Sequence, residues 1–230
     1  MSDKTDHPPL PQAFADLGVR NSVLRGLADA GFVEPSEIQK LLIPKALSGV
    51  DLLGQARTGT GKTAAFGIPI ICRATKGIAS QAIILVPTRE LCVQVEFELQ
   101  RFCKHTPLRT LAVYGGQKIS VQAKHLKHGP EILVGTPGRV MDLLERGIIH
   151  FRDIRFIVLD EVDRMLDIGF RDDIRRILGV VKRQRQENRQ PSPESADASP
   201  TSADPADAPP TDIQTIFVSA TISDEIERLA

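Results

Sequence analysis

The chain has 230 residues, 41% of them hydrophobic and 25% charged. That is enough to bury one substantial core and is ordinary for a soluble globular protein, and no apolar run approaches a membrane span. The formal net charge of 0 hides an asymmetry: residues 190–212 hold five acids and no Lys or Arg, so the rest is left with 29 bases against 24 acids, or +5, compatible with a polyanionic partner. There is no Trp and a single Tyr, Tyr114, which excludes a base-stacking nucleic-acid platform and leaves the sugar–phosphate backbone as what such a protein would hold.

Residues 1–12 are polar and Pro-rich, which fits a disordered tail and neither a signal peptide nor a transit helix. From Phe14 to Ala30 the apolar residues Leu17, Val23, Leu24 and Leu27 recur at helical spacing, and Gly31 is a stop signal. Pro35 and Ser36 suit the start of a helix reaching about Leu47 and ending at Gly49. The chain then alternates. Strand-like runs at 51–55, 81–86, 110–114, 131–134, 156–160 and 215–219 enclose helical runs at 63–74, 89–104, 120–127, 138–146 and 171–181. Such alternation predicts an α/β fold with a mostly parallel central sheet and helices on both faces, where ligands bind beyond the carboxyl ends of the strands. Residues 184–212, rich in Pro, Ser, Ala and Asp, read as a disordered acidic insert. Cys72, Cys92 and Cys103 form no Cys-x-x-Cys pair and read as reduced core thiols, which points to the cytoplasm. A monomer without membrane contact is expected.

Each strand end runs into polar or glycine-rich chemistry. After the first comes Ala56-Arg57-Thr58-Gly59-Thr60-Gly61-Lys62-Thr63, a strand-to-helix turn whose free N–H groups and helix dipole suit phosphate. Lys62 supplies a full charge for the outer phosphates and Thr63 a hydroxyl where Mg2+ would sit. The strict pattern has Gly where this chain has Ala56. The strand 156–160 ends in Asp160 and Glu161, with Asp163 two residues on. Asp160 is placed to hold Mg2+ opposite Thr63, and Glu161 to polarise an attacking water. Pro87-Thr88-Arg89 and Thr136-Pro137-Gly138-Arg139 read as exposed helix starts, each with an N-cap Thr and an Arg. With the flexible Gly115-Gly116 they form further anion sites on the same face. Taken singly, each is more simply a helix cap, just as Ser219-Ala220-Thr221 is either a link to Asp163 or an ordinary cap. His125 and His128 have the i, i+3 spacing of a metal pair but no further ligand near them in sequence, and read as a solvated face.

Taken in order, these stretches resemble the N-terminal RecA-like domain of DEAD-box ATP-dependent RNA helicases. The resemblance rests on Gly31-Phe32…Pro35…Ile38-Gln39, Ala56–Thr63, Pro87–Leu91, Gly115-Gly116, Thr136–Arg139, Asp160–Asp163 and Ser219–Thr221. It implies ATP and Mg2+ as cofactors and RNA as partner, bound by its backbone with little sequence preference. Gln39 would read adenine and Phe14 would lie on its ring. Thr58, Gly59, Thr60, Gly61 and Lys62 would hold phosphates, Thr63 and Asp160 the metal, and Glu161 the water. Pro87, Thr88, Arg89, Gly115, Gly116, Thr136, Pro137, Gly138 and Arg139 would face RNA, while Asp163, Ser219 and Thr221 would couple the two ligands.

The motif at 160–163 carries Val162 where the family usually has Ala, which removes no functional group. The RecA-like domain is expected over 13–230, interrupted by the insert. The family's second RecA-like domain, source of its arginine fingers, is not in this sequence, so the chain alone is expected to bind nucleotide, hydrolyse it slowly and unwind no RNA unaided. Two alternatives stay open: an RNA-binding or regulatory module without turnover, and an unrelated P-loop NTPase lacking adenine selectivity.

Overall fold

A computed structural model describes residues 8–56, 59–189 and 213–229. Six strands, β1 (Leu52–Gln55), β2 (Ala82–Leu85), β3 (Thr110–Val113), β4 (Ile132–Gly135), β5 (Phe156–Asp160) and β6 (Gln214–Ser219), form one sheet in the order β1-β6-β5-β2-β4-β3. Every pairing is parallel. The three innermost-reading runs, Ala82–Leu85, Ile132–Gly135 and Phe156–Asp160, are buried at every position, as strands covered on both faces must be.

Alternation along the strands divides the core in two. Ile84, Val134, Phe156, Val158 and Val218 pack under the helices α1 (Gln12–Ala15), α2 (Asn21–Asp29), α3 (Glu37–Leu47), α4 (Lys62–Arg73) and α5 (Arg89–Cys103). Ile83, Leu85, Leu133, Ile157 and Phe217 pack on the other face, under α6 (Ile119–Leu126), α7 (Pro137–Glu145), α8 (Val162–Ile168), α9 (Arg171–Arg189) and α10 (Asp224–Leu229). Val162 is fully buried in that second core, so its extra bulk over Ala is used in packing. The three cysteines are free, with Cys92 and Cys103 buried.

Four sequence expectations are corrected. The helix predicted over 14–30 is two helices, because Gly18 takes φ +88° and turns the chain between α1 and α2. The tail does not extend to residue 12: Pro11 is buried and Gln12 opens α1. Helix α9 continues through 184–189, which the sequence reading gave to the acidic insert, while 190–212 lie outside the described residues. The short helix α8 directly after Glu161 was not foreseen.

Helices α2 and α5 are joined at their ends by Asp29, whose Oδ2 lies 2.5 Å from Lys104 Nζ and 2.8 Å from His105 Nε2. Hydrogen bonds from Lys104 and His105 hold the Asp29 carboxyl down at about 2. An acid depressed in the folded state contributes stability above its ordinary value of 3.8 and loses it as pH falls toward 2. Asp29→Asn should therefore lower the thermal midpoint at neutral pH, and the gap to wild type should close as both are titrated from pH about 4 to about 2.

Candidate functional site

The carboxyl ends of the strands place the predicted residues along one edge. Ala56 donates its N–H to the Ser219 carbonyl (2.9 Å), continuing the β1–β6 pairing into the turn. Gly59 and Gly61 take φ +81° and +87°, and α4 opens at Lys62. Thr58 lies outside the described residues, and so does Arg57.

Gly61 must be glycine for a second reason: a Cβ there would collide with Gln39 Nε2. That amide donates to the Gly61 carbonyl (3.1 Å), while Gln39 Oε1 accepts from Ser36 N–H (2.9 Å) in a capping box that starts α3. Ser36 Oγ also donates to the Thr60 carbonyl (2.9 Å). Two side chains of the α3 start thus hold the Thr60 and Gly61 carbonyls of the glycine turn.

A cleft of about 670 Å³ opens beside this turn, lined by Gly59, Gly61, Lys62 and Thr63 on one side and by Asp160, Glu161 and Arg164 on another. Glu98 of α5 closes the third side and hydrogen-bonds Thr63. Lys62 Nζ lies 3.5 Å from Asp160 Oδ1, both side chains being less than a tenth exposed. Burial pushes Asp160 up to about 6; the Lys62 charge works against the shift and Glu161 adds to it. Asp160 Oδ1 is the buried side-chain oxygen left without a hydrogen-bond partner among the described residues. Glu161 is buried and held at φ +55°, ψ +51°, a left-handed conformation that costs a non-glycine residue about 1–2 kcal/mol. Directly after Asp160, Glu161 lines the cleft, and Arg164 donates to its carboxylate at 3.3 Å.

Asp163 joins this cleft to the last strand. Its Oδ2 accepts from Thr221 N–H (3.0 Å) and Thr221 Oγ1 (2.9 Å), and its own N–H donates to the buried Ser219 Oγ (3.3 Å). Burial acts to raise the Asp163 carboxyl, but the Thr221 and Ser219 hydroxyls outweigh it and hold it below its ordinary value. The link read from sequence as one of two possibilities is therefore formed.

The remaining predicted residues gather at the ends of β2, β3 and β4. Thr88 caps α5, its hydroxyl accepting from Leu91 N–H (3.2 Å), and Arg89 is exposed. Gly116 takes φ +86° under the Arg89 guanidinium, which a Cβ would strike. Thr136 stands at the N-cap of α7 but is buried and makes no side-chain capping bond; Pro87 and Pro137 are buried as well, and Gly115 and Gly138 are half-buried.

Two assignments change. Phe14 has no exposed surface and sets its ring edge-on to Phe32 at 6.0 Å, so it is a core residue with no free face for a base. Arg139 is not an exposed anion ligand: its guanidinium donates to Gln122 Oε1 (2.7 Å) and to the Gln117 carbonyl (3.0 Å).

Gln122 is the residue that sequence reasoning missed. Almost fully buried, it donates to the Tyr114 carbonyl (3.0 Å) and to Gln117 Oε1 (2.8 Å) while accepting from Arg139. It pins the Gly115-Gly116 loop from both sides. The available signal was a polar residue on the inward stripe Ile119, Gln122, Leu126 of α6. Removing it leaves the Tyr114 carbonyl without that donor and takes one of the Arg139 guanidinium's acceptors, so Gln122→Ala should cost about 1–3 kcal/mol in urea unfolding. Gln122→Glu, which keeps an acceptor for Arg139 but loses both donors, should fall between.

A sequence profile of the DEAD/DEAH box helicase family matches residues 36–229, most of the chain. The chain belongs to this family. The DEAD-box ATP-dependent RNA helicase RhpA of Helicobacter pylori strain B128 is 42% identical over 186 residues, covering 81% of this chain and 37% of that protein. Among solved structures, a DEAD box protein from Methanococcus jannaschii superposes with TM-score 0.78 at 34% identity, over 95% of this chain and 52% of that one. A hypothetical ATP-dependent RNA helicase from Sulfolobus tokodaii gives TM-score 0.73 at 28% identity, over 91% and 53%. The RecA-like fold of this helicase-family domain is thus shared, while the chain spans less than two fifths of the curated relative and about half of each solved chain.

Proposed function

We propose that this chain is the nucleotide-binding part of an ATP-dependent RNA helicase, taking ATP with Mg2+ at the 59–63 turn and RNA backbone at the Arg89, Gly116 and Gly138 edge. A second RecA-like domain in the longer protein would complete the site and drive local unwinding. The observation that carries the reading is the buried Asp160 Oδ1, which accepts no hydrogen bond and is met by the Lys62 ammonium at 3.5 Å beside the glycine turn. That carboxylate oxygen and the Thr63 hydroxyl, which line the same cleft, would be fitting oxygen ligands for a hard divalent cation once Thr63 exchanges its bond to Glu98. Bound there, Mg2+ would neutralise phosphate charge.

The chain's own residues supply the rest. Lys62 moves its charge from Asp160 to the outer phosphates, and the 59–62 amides donate to phosphate oxygens. Glu161, preset by its backbone, accepts the proton of the attacking water. Gln39 is almost fully buried and uses one lone pair and one N–H internally; the second of each is what it would offer to the N7 and N6 sides of adenine. Asp163 reports the state of the cleft to β6 through Thr221 and Ser219.

The crossed test measures ADP affinity and single-stranded RNA affinity on the same variants. Arg89→Ala should weaken RNA while leaving ADP within twofold, and Lys62→Ala should do the reverse. If neither variant separates the two ligands, the two-ligand assignment is wrong.

A further inference from the structure

Helix α6 has two faces of different content. Its inner face carries Gln122 and Leu126, which fasten it to the Gly115-Gly116 loop and the core. Outside it lie Lys118 at the N-cap, Lys124, His125, Lys127 and His128, all exposed. Residues 115–130 contain no Asp or Glu. None of the three lysines has a carboxylate within ion-pair reach among the described residues, whereas Lys40 pairs with Glu37 and Lys104 with Asp29. Unpaired cations on one short, rigidly held helix repel each other and hold a local positive potential that a polyanion relieves. The helix also packs beside β3, the last strand of the sheet.

The geometry points to the outer face of α6 as a continuation of the RNA track, taking the phosphates of the strand that passes Gly115-Gly116 and runs on for about 12 Å along the helix. The inference rests on the RNA-binding reading above. No aromatic residue lies within 115–130, so recognition is of the sugar–phosphate backbone, without base stacking. Because Gln122 and Arg139 lock the helix to the loop, the cations stand in place before RNA arrives.

The test is the salt dependence of binding to a 20-nucleotide single-stranded RNA, measured by fluorescence anisotropy on the full chain. Each phosphate neutralised on a single strand contributes about 0.7 to the slope of log affinity against log salt. Replacing Lys118, Lys124 and Lys127 together by Gln should lower that slope by about 2 and weaken binding about tenfold or more at 0.1 M salt. ADP affinity should stay at the wild-type value, which also reports that the variant is folded. A control with Lys45, Lys76 and Lys182 changed to Gln loses the same charge from exposed positions elsewhere and should keep the wild-type slope. Equal slopes for the α6 variant and wild type, or equal losses in both triple variants, overturn the inference and leave the RNA reading standing. A wild-type chain that binds no RNA removes both.

Discussion

Lys62→Ala should weaken ADP binding by roughly a hundredfold, about 3 kcal/mol, without changing RNA affinity in the absence of nucleotide. The side chain stands at the first residue of α4, less than a tenth exposed, with its ammonium aimed at Asp160 rather than at solvent. A charge held in a water-poor cleft makes charge-assisted hydrogen bonds that are about twice as strong as neutral ones. Removing it also leaves the Asp160 carboxylate buried without its counter-charge, so the variant should unfold earlier than wild type in urea. Lys62→Met separates the two effects. It keeps the apolar stem but not the charge, so it should recover only the packing part of the stability loss, stay destabilised by the stranded Asp160, and bind ADP no better than the alanine variant. Isothermal titration with urea melts on the same samples reads both quantities.

Gly61→Ala should be the most damaging single methyl in the site. A left-handed φ of +87° strains any L-residue by about 1–2 kcal/mol, and the added Cβ must displace the Gln39 amide from the Gly61 carbonyl. Together these should cost about 2–3 kcal/mol and lower the midpoint by on the order of 5 °C or more. Nucleotide binding should fall to background because the turn loses its anchor to α3. Gly59→Ala is the comparison. Its φ of +81° brings the same strain, but a Cβ there meets nothing within 4 Å, so only the smaller, conformational part of the loss is expected. Equal losses at the two glycines would show that the Gln39 contact contributes nothing.

Much of this architecture was legible because local signals and tertiary position agree. The run Phe156–Asp160 reads as a doubly covered strand from its apolar residues alone, and its tip carries the carboxylates where the fold needs them. The same holds for the turn at Gly59–Thr63, whose left-handed Gly59 and Gly61 are what the glycine spacing reveals. What escaped was relational. Phe14 is expected on the adenine ring from the resemblance, and only the packing of α1 against Phe32 shows it buried. Arg139 looked like an exposed cation because nothing local announces Gln122, 17 residues earlier, as its partner. Gln39 shows the limit from the other side: its amide was read as facing a base, while half its hydrogen-bonding capacity is spent on Ser36 and Gly61. Helix α9 overran its expected end because 184–189 are charged and polar yet free of Gly and Pro, and nothing in that stretch stops a helix.

The central claim is that the 59–63 turn holds an adenine nucleotide whose base is read by Gln39. The most direct measurement is competition by unlabelled ADP and GDP against a fluorescent ADP with Mg2+ present, on wild type and Gln39→Ala. ADP should displace the probe at least about tenfold better than GDP, and Gln39→Ala should remove the difference. Equal competition by the two nucleotides on the wild-type chain would contradict it.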